Sequence, residues 1–171
     1  SFALYWHRYG NTLAGVEAVH AAAACEPATL AGRPVAHGVE LDLKWAGSLL
    51  YAWHGPTGRE CLGPERVRRW GAQGRVALLE ELFGDPRARE LVWLVELKTG
   101  YGEVEPALAQ FADLVRGAGL IGRVRVAASS LLLLSVARAV ARELPRVLFG
   151  WPAAGGRVRH RPTTRTVASL A

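Results

Sequence analysis

The stretch GVELDLKW, residues 38–45, decides how the rest of the chain is read. Glu40 and Asp42 stand at i and i+2 between Val39, Leu41 and Leu43, three good strand formers. Successive side chains of a strand point to opposite faces, so the two carboxylates share one face and the three apolar residues share the other. The spacing recurs in VELK, residues 95–98, where Glu96 and Lys98 share a face and Val95 and Leu97 take the other. Two apolar strands that each carry a charged pair require a partner for those charges.

Outward from these strands the pattern alternates. Residues 2–7 are aromatic and β-prone and run into a loop at Arg8, Gly10 and Asn11. Residues 12–25 are alanine-rich, with Leu13, Val16, Val19 and Ala23 near helical spacing. The spacing predicts a strand over 35–45 and a further extended run over 49–53, the two pairing as a hairpin through Ala46, Gly47 and Ser48. Residues 64–70 and 76–83 read as short helices, and 91–98 as a strand buried on both faces. Val104, Leu108, Phe111 and Val115 form one stripe of a helix over 103–117. A strand over 123–128, a helix over 130–144 stopped by Pro145, and a strand over 147–151 complete the pattern. Strands alternating with helices predict an α/β fold of βαβ units on a parallel sheet. Two architectures compete, an open doubly wound sheet and a (β/α)8 barrel; the first loop, HRYGNT, lacks the G-x-G-x-x-G of a dinucleotide site.

Composition narrows the function classes. A chain of 171 residues fits one domain with a real core, and no apolar run approaches the ~20 residues of a membrane span. Cys25 and Cys61 are too few for a zinc cluster or a disulfide scaffold and read as thiols, with a single bridge left open. The chain opens with neither methionine nor a basic-then-apolar leader, which bounds its compartment weakly, the cytoplasm being favoured over secretion. Of the net charge of +6, four arginines and no acid fall in residues 153–171, leaving +2 for residues 1–152. We therefore read residues 1–152 as the catalytic body and 153–171 as a basic, flexible tail. A nearly neutral body argues against a specific nucleic-acid partner.

The charged residues gather where the strands end. His7 and Arg8 close the first strand, Glu40 and Asp42 the second, and Glu96 and Lys98 the third, while His54 follows the hairpin in YAWHGP. Burying several carboxylates uncompensated costs many kcal/mol or forces them to hold protons. One divalent cation, Mg²⁺ or Ca²⁺, removes that cost, so Glu40, Asp42 and Glu96 are candidate metal ligands. Lys98 and Arg8 beside them point to an anionic substrate. His7 and His54 reach the same rim, and paired imidazoles suit general acid and base work near neutral pH. Metal-assisted phosphodiester cleavage fits these parts best. His20, His37 and His160 read as structural or solvent-facing, and the tryptophans as packing.

The order HR…NT, ELD, H and ELK resembles the glycerophosphodiester phosphodiesterase family and the wider phosphatidylinositol-phospholipase-C-like phosphodiesterases, which are TIM barrels. The pieces WHG and ELKTG are similar to the sphingomyelinase D and phospholipase D branch. The resemblance spans residues 4 to about 151. It implies His7 and His54 as the catalytic pair, Glu40, Asp42 and Glu96 as metal ligands, and Arg8 and Lys98 as phosphate contacts. It also implies a small-molecule or lipid phosphodiester substrate, and leaves peripheral membrane contact and self-association open. Two departures stand out. The family motif has a glutamate directly before the asparagine and threonine, where this chain has Gly10 ahead of Asn11 and Thr12. A full barrel takes ~250 residues and eight strands, and five are counted here, so the barrel is expected to be incomplete.

Overall fold

The computed structural model of the chain describes residues 3–25, 29–30, 32–98, 100–150 and 166–170. In chain order the elements are β1 (Ala3–Trp6), α1 (Leu13–Cys25), β2 (Thr29–Leu30), β3 (Arg33–Pro34), β4 (Ala36–Ala46) and β5 (Leu49–Ala52). There follow α2 (Pro64–Ala72), β6 (Ala77–Leu78), α3 (Leu79–Gly84), β7 (Val92–Leu97), α4 (Val104–Gly117), β8 (Val124–Ala128), α5 (Leu131–Val140), β9 (Arg146–Gly150) and β10 (Thr166–Leu170). One eight-stranded sheet runs in the order β10-β9-β8-β7-β4-β5-β6, and β1 pairs with the first half of β4. The β1–β4, β4–β7, β7–β8 and β8–β9 pairs are parallel, and among the described residues the sheet does not close into a barrel. The βα architecture and its five parallel strands are as the sequence predicts.

β4 is the organising strand. It is buried from Gly38 to the end of its span because it has neighbours on both edges: β7 on one, and β1 then β5 on the other. Val39, Leu41 and Leu43 fall on the face that enters the main core, with Val95, Trp93, Leu108, Phe111 and Val126. That leaves the opposite face of β4 to its even-numbered residues. β7 is buried along its whole length, and Trp93 donates its indole N–H to Ala88 O at 2.9 Å, which satisfies the one polar atom of a fully buried ring. α4 buries Leu108, Phe111, Ala112 and Val115 against the sheet, each large apolar side chain contributing on the order of 1.5–3 kcal/mol.

Three elements differ from the sequence reading. Residues 76–83 are not one helix: Ala77 and Leu78 pair with β5, and the helix begins at Leu79. Leu79, Leu82 and Phe83 then reach the core at i, i+3 and i+4. α5 ends at Val140 rather than 144, although Ala141 and Leu144 stay buried through a turn that donates to Ala137 O and Ala141 O. In the tail, Thr166–Leu170 pairs antiparallel with β9, where no strand was expected; residues 153–165 and 171 lie outside the described residues. Cys25 and Cys61 are both exposed thiols that do not bridge each other, and no described helix is long and apolar enough to cross a membrane.

Candidate active site

The sheet carries its chemistry on the even face of β4. Asp42 and Glu96 are Cα partners on adjacent parallel strands, so their carboxylates lie side by side, and Glu40 stands one step earlier on the same face. All three are buried, Asp42 completely, beside two lysines, Lys44 and Lys98. The Lys98 ammonium sits between the paired acids, 2.7 Å from Glu96 Oε1 and 3.2 Å from Asp42 Oδ1. It is not aligned to donate to Asp42 Oδ1, which accepts no hydrogen bond. The other Asp42 oxygen, Oδ2, accepts from the Asn11 side-chain amide at 2.7 Å, and the Asp42 backbone N–H donates to Asn11 Oδ1 at 2.7 Å.

Asn11 reaches Asp42 because Gly10 lets the chain lie against β4. A Cβ on Gly10 would stand 2.7 Å from Glu40 O and 3.0 Å from Leu41 Cβ, contacts that leave no room for a side chain. The glutamate of the family motif therefore has no space in this backbone, and Asn11 bonds the second-strand acid at two points instead.

His7 follows β1 directly, half exposed, with Nδ1 against Glu40 Oε2. Arg8 is the one described non-glycine residue with a positive φ, 63°. Such a conformation costs roughly 1–3 kcal/mol and is kept where geometry demands it. Here the sharp turn brings Arg8 Nη2 to 2.9 Å from His54 Nε2. His54 Nδ1 lies 2.6 Å from Gly55 O. Both contacts fit one tautomer, with the hydrogen on Nδ1 and the lone pair on Nε2 facing the guanidinium.

Of the seven residues singled out in the sequence, Glu40 and Asp42 lie in the middle of β4, where the carboxyl ends of β1 and β7 abut it, and the other five lie at or just beyond the ends of β1, β5 and β7; they meet in three groups, His7 with Glu40, Lys98 with Asp42 and Glu96, and Arg8 with His54. His7 and Arg8 are exposed, His54 and Lys98 partly so, and the three carboxylates are buried. The cleft of about 210 Å³ lined by Ser48, Leu50, Gln110 and Asp113 involves none of them and holds no such cluster. His20 pairs instead with Glu90, His37 accepts from the Trp6 indole, and His160 lies outside the described residues.

Two residues of the site were missed in the sequence. The sequence reading gives Asn11 a place in the loop and in the HR…NT motif but no role, and gives Lys44 none. Lys44 is fully buried, donates to Gly58 O at 3.0 Å and to Glu60 O, and lies 5.5 Å from the Trp53 ring centre. Burial pushes its ammonium pKa down, opposed by the nearby Cys61, Glu60 and Asp42. The period-2 spacing of Glu40, Asp42 and Lys44 was the signal that could have found it.

Donor chemistry bears on the metal expectation. Oxygen-only carboxylate donors suit a hard divalent ion, and the buried Asp42 Oδ1 accepts no hydrogen bond, its one charged neighbour among the described contacts being the Lys98 ammonium at 3.2 Å. Among the described residues, however, no three His, Cys, Asp or Glu side chains converge as a ready-made ligand set. Lys98 occupies the position between two of the acids.

This fold is that of the glycerophosphodiester phosphodiesterases. A chain from Silicibacter pomeroyi assigned as a glycerophosphoryl diester phosphodiesterase matches with a TM-score of 0.62 at 18% identity, over 93% of this chain and 68% of that one. A glycerophosphodiester phosphodiesterase from Agrobacterium tumefaciens matches with 0.54 at 19% identity, over 85% and 66%. A phosphodiesterase from Oleispira antarctica, solved with the product sn-glycerol-3-phosphate, matches with 0.52 at 14% identity, over 84% and 63%. The chain spans between half and about two-thirds of the solved chains it matches. No protein-family model matches the sequence, and no curated protein does.

Proposed function

We propose that the chain is a phosphodiester hydrolase acting on glycerophosphodiesters, with its active site at the mouth formed by β1, β4, β5 and β7. The observation that carries this reading is the gathering of two imidazoles, three buried carboxylates and two cationic side chains at one end of a fold shared with such enzymes. The sn-glycerol-3-phosphate in the Oleispira antarctica relative supports a glycerol phosphate as product. The similarity of WHG and ELKTG to the phospholipase D branch keeps phospholipid headgroups within the substrate class.

In this mechanism Arg8 and Lys98 hold the phosphate, one from each side of the mouth. Arg8 leaves His54 Nε2 to do so, which exposes the lone pair that the tautomer places there. His54 takes the proton of the attacking oxygen, from water or from a neighbouring hydroxyl of the substrate. The new P–O bond forms as the ester P–O bond to the leaving alcohol breaks. His7 delivers a proton to that oxygen, and the Glu40 carboxylate at Nδ1 stabilises the imidazolium that has it to give. Attack by water yields a phosphomonoester; attack by a hydroxyl yields a cyclic phosphate. Glu40, Asp42 and Glu96 would hold Mg²⁺ or Ca²⁺, whose positive charge would stabilise the phosphoryl oxygens.

The direct test is hydrolysis of glycerophosphocholine with and without EDTA, in the wild type and in His7→Ala and Glu40→Gln. Turnover that disappears with chelator and in both folded variants is expected, and full activity in either variant refutes the assignment. A second reading, an inactive relative that binds a phosphorylated ligand, is favoured by Lys98 standing between Asp42 and Glu96. Calorimetry with sn-glycerol-3-phosphate in the absence of turnover would support it.

A further inference from the structure

We propose that Lys44 is a positioning residue that holds His54 at the mouth by clamping the loop that follows it. This rests on the hydrolase reading for its catalytic consequence, but its structural part stands alone. Lys44 and Tyr51 are Cα partners across the β4–β5 hairpin, and directly opposed residues of an antiparallel pair share a face. Both fasten the segment 54–62. Lys44 donates to Gly58 O and Glu60 O, and the Tyr51 hydroxyl accepts from Leu62 N at 3.0 Å.

Within the loop, the Glu60 carboxylate takes up the Thr57 backbone N–H at 3.0 Å and its hydroxyl at 2.7 Å, so the turn is closed on itself. Gly58, at φ 80°, faces the His54 imidazole, where an added Cβ would stand 3.2 Å from Nε2. The carbonyl that the ammonium holds thus belongs to a residue whose Cα–H side faces the His54 ring with no room for a side chain between them. A lysine spends its long apolar stem crossing the buried face under Trp53 to reach those carbonyls. No hydrophobic residue of the same length could replace the two donated hydrogen bonds.

The loop lies on the surface, with Arg59 and Cys61 exposed. Removing the ammonium lets the two carbonyls turn to water, and the loop loosens without the core unfolding. His54 then samples orientations away from Arg8. Displacements of about 1 Å at a reacting group cost on the order of 100-fold in rate, and residues acting through a neighbour typically account for 10–100-fold.

The experiment compares wild type, Lys44→Met and Lys44→Arg. Tryptic cleavage after Arg59, read by mass spectrometry, should accelerate at least tenfold in Lys44→Met and less in Lys44→Arg, which keeps donors for the carbonyls. Long-range ¹H–¹⁵N spectra should show the His54 Nδ1–H tautomer in wild type and a mixture of tautomers in Lys44→Met. Glycerophosphocholine turnover should fall about 10–100-fold in kcat with KM within about twofold. An unchanged cleavage rate and an unchanged His54 spectrum in folded Lys44→Met overturn the proposal. Should that variant not fold, Lys44→Gln, which keeps one donor for the carbonyls, takes the same three readings against the same criteria. If the wild type has no turnover while the loop and spectrum respond as stated, the hydrolase reading fails and the positioning role of Lys44 survives.

Discussion

Replacing Gly10 tests whether this chain has exchanged the family glutamate for a close backbone approach. In Gly10→Ala the added methyl would meet Glu40 O at 2.7 Å and Leu41 Cβ at 3.0 Å. Both belong to the buried middle of β4, which is paired on both edges and cannot retreat. Overpacking of this kind costs typically about 1–3 kcal/mol. Alanine loses less unfolded-state freedom on folding and returns about 0.4–1 kcal/mol. From the midpoints of these ranges the net is a loss of about 1.3 kcal/mol, or a fall in Tm of roughly 3–5 °C for a chain of this size. The methyl also lifts Asn11 off Asp42, breaking the paired 2.7 Å hydrogen bonds, so turnover should fall further than the stability change explains. Gly10→Glu should be worse on both counts, although it restores the family motif. Thermal unfolding by circular dichroism reads the stability change, glycerophosphocholine hydrolysis the loss of turnover, and calorimetric titration with Mg²⁺ and Ca²⁺ any change in ion binding. A Gly10→Ala protein at wild-type Tm, or a Gly10→Glu protein that binds a divalent ion more tightly, would show that the backbone yields and that the reasoning is wrong.

Three further outcomes follow from the same contacts. Asn11→Ala leaves the Asp42 backbone N–H buried without its acceptor, and should cost about 1–3 kcal/mol in denaturant unfolding, together with most of the activity. Lys98→Met removes the ammonium shared by Asp42 and Glu96; its Tm should fall at neutral pH and recover on adding Mg²⁺ or Ca²⁺ by more than the wild type gains, whereas equal gains would speak against a cation among these acids. Away from the site, hydrogen bonding to Arg87 holds the Asp85 carboxyl down to about 2 from its ordinary 3.8. A depressed carboxyl stabilises the fold fully above its unfolded pKa and loses that contribution as pH falls towards 2. Asp85→Asn should therefore be less stable than wild type by on the order of 1 kcal/mol at pH 7, with the gap closing near pH 2; a gap independent of pH in urea unfolding would contradict the ion pair.

What was legible in the sequence was what period and burial control. The apolar runs at 91–98 and 123–128 sit next to each other in the sheet, and a buried strand has little freedom in composition. The i, i+2 acids were legible because a pleated strand fixes their face whatever the partner does. Residues 76–83 misled because an apolar run of eight serves a strand pair and a short helix equally well, and only the edge of β5 decides between them. Asn11 and Lys44 were hidden for another reason. Their partners lie 31 residues away in one case, and 14 and 16 in the other. Gly10 read as a missing ligand; its role as a contact surface is visible only once β4 lies beneath it.

The charge arrangement on β4 explains why these pieces act as one unit. Three buried carboxylates face two lysines, one from β4 itself and one from just beyond β7, with the His7 imidazole at the open end. In a low-dielectric face, removing any one partner strands the others, so the cost of a substitution here exceeds the worth of its single contact. The two lysines divide the work. Lys98 is partly exposed, where an anionic substrate can compete with the two acids for its ammonium. Lys44 is enclosed and committed to the carbonyls of Gly58 and Glu60, and so fixes the loop that presents His54. Exchanging the two roles would fail physically: an enclosed lysine cannot release its partners to bind substrate, and an exposed one cannot hold a loop against water.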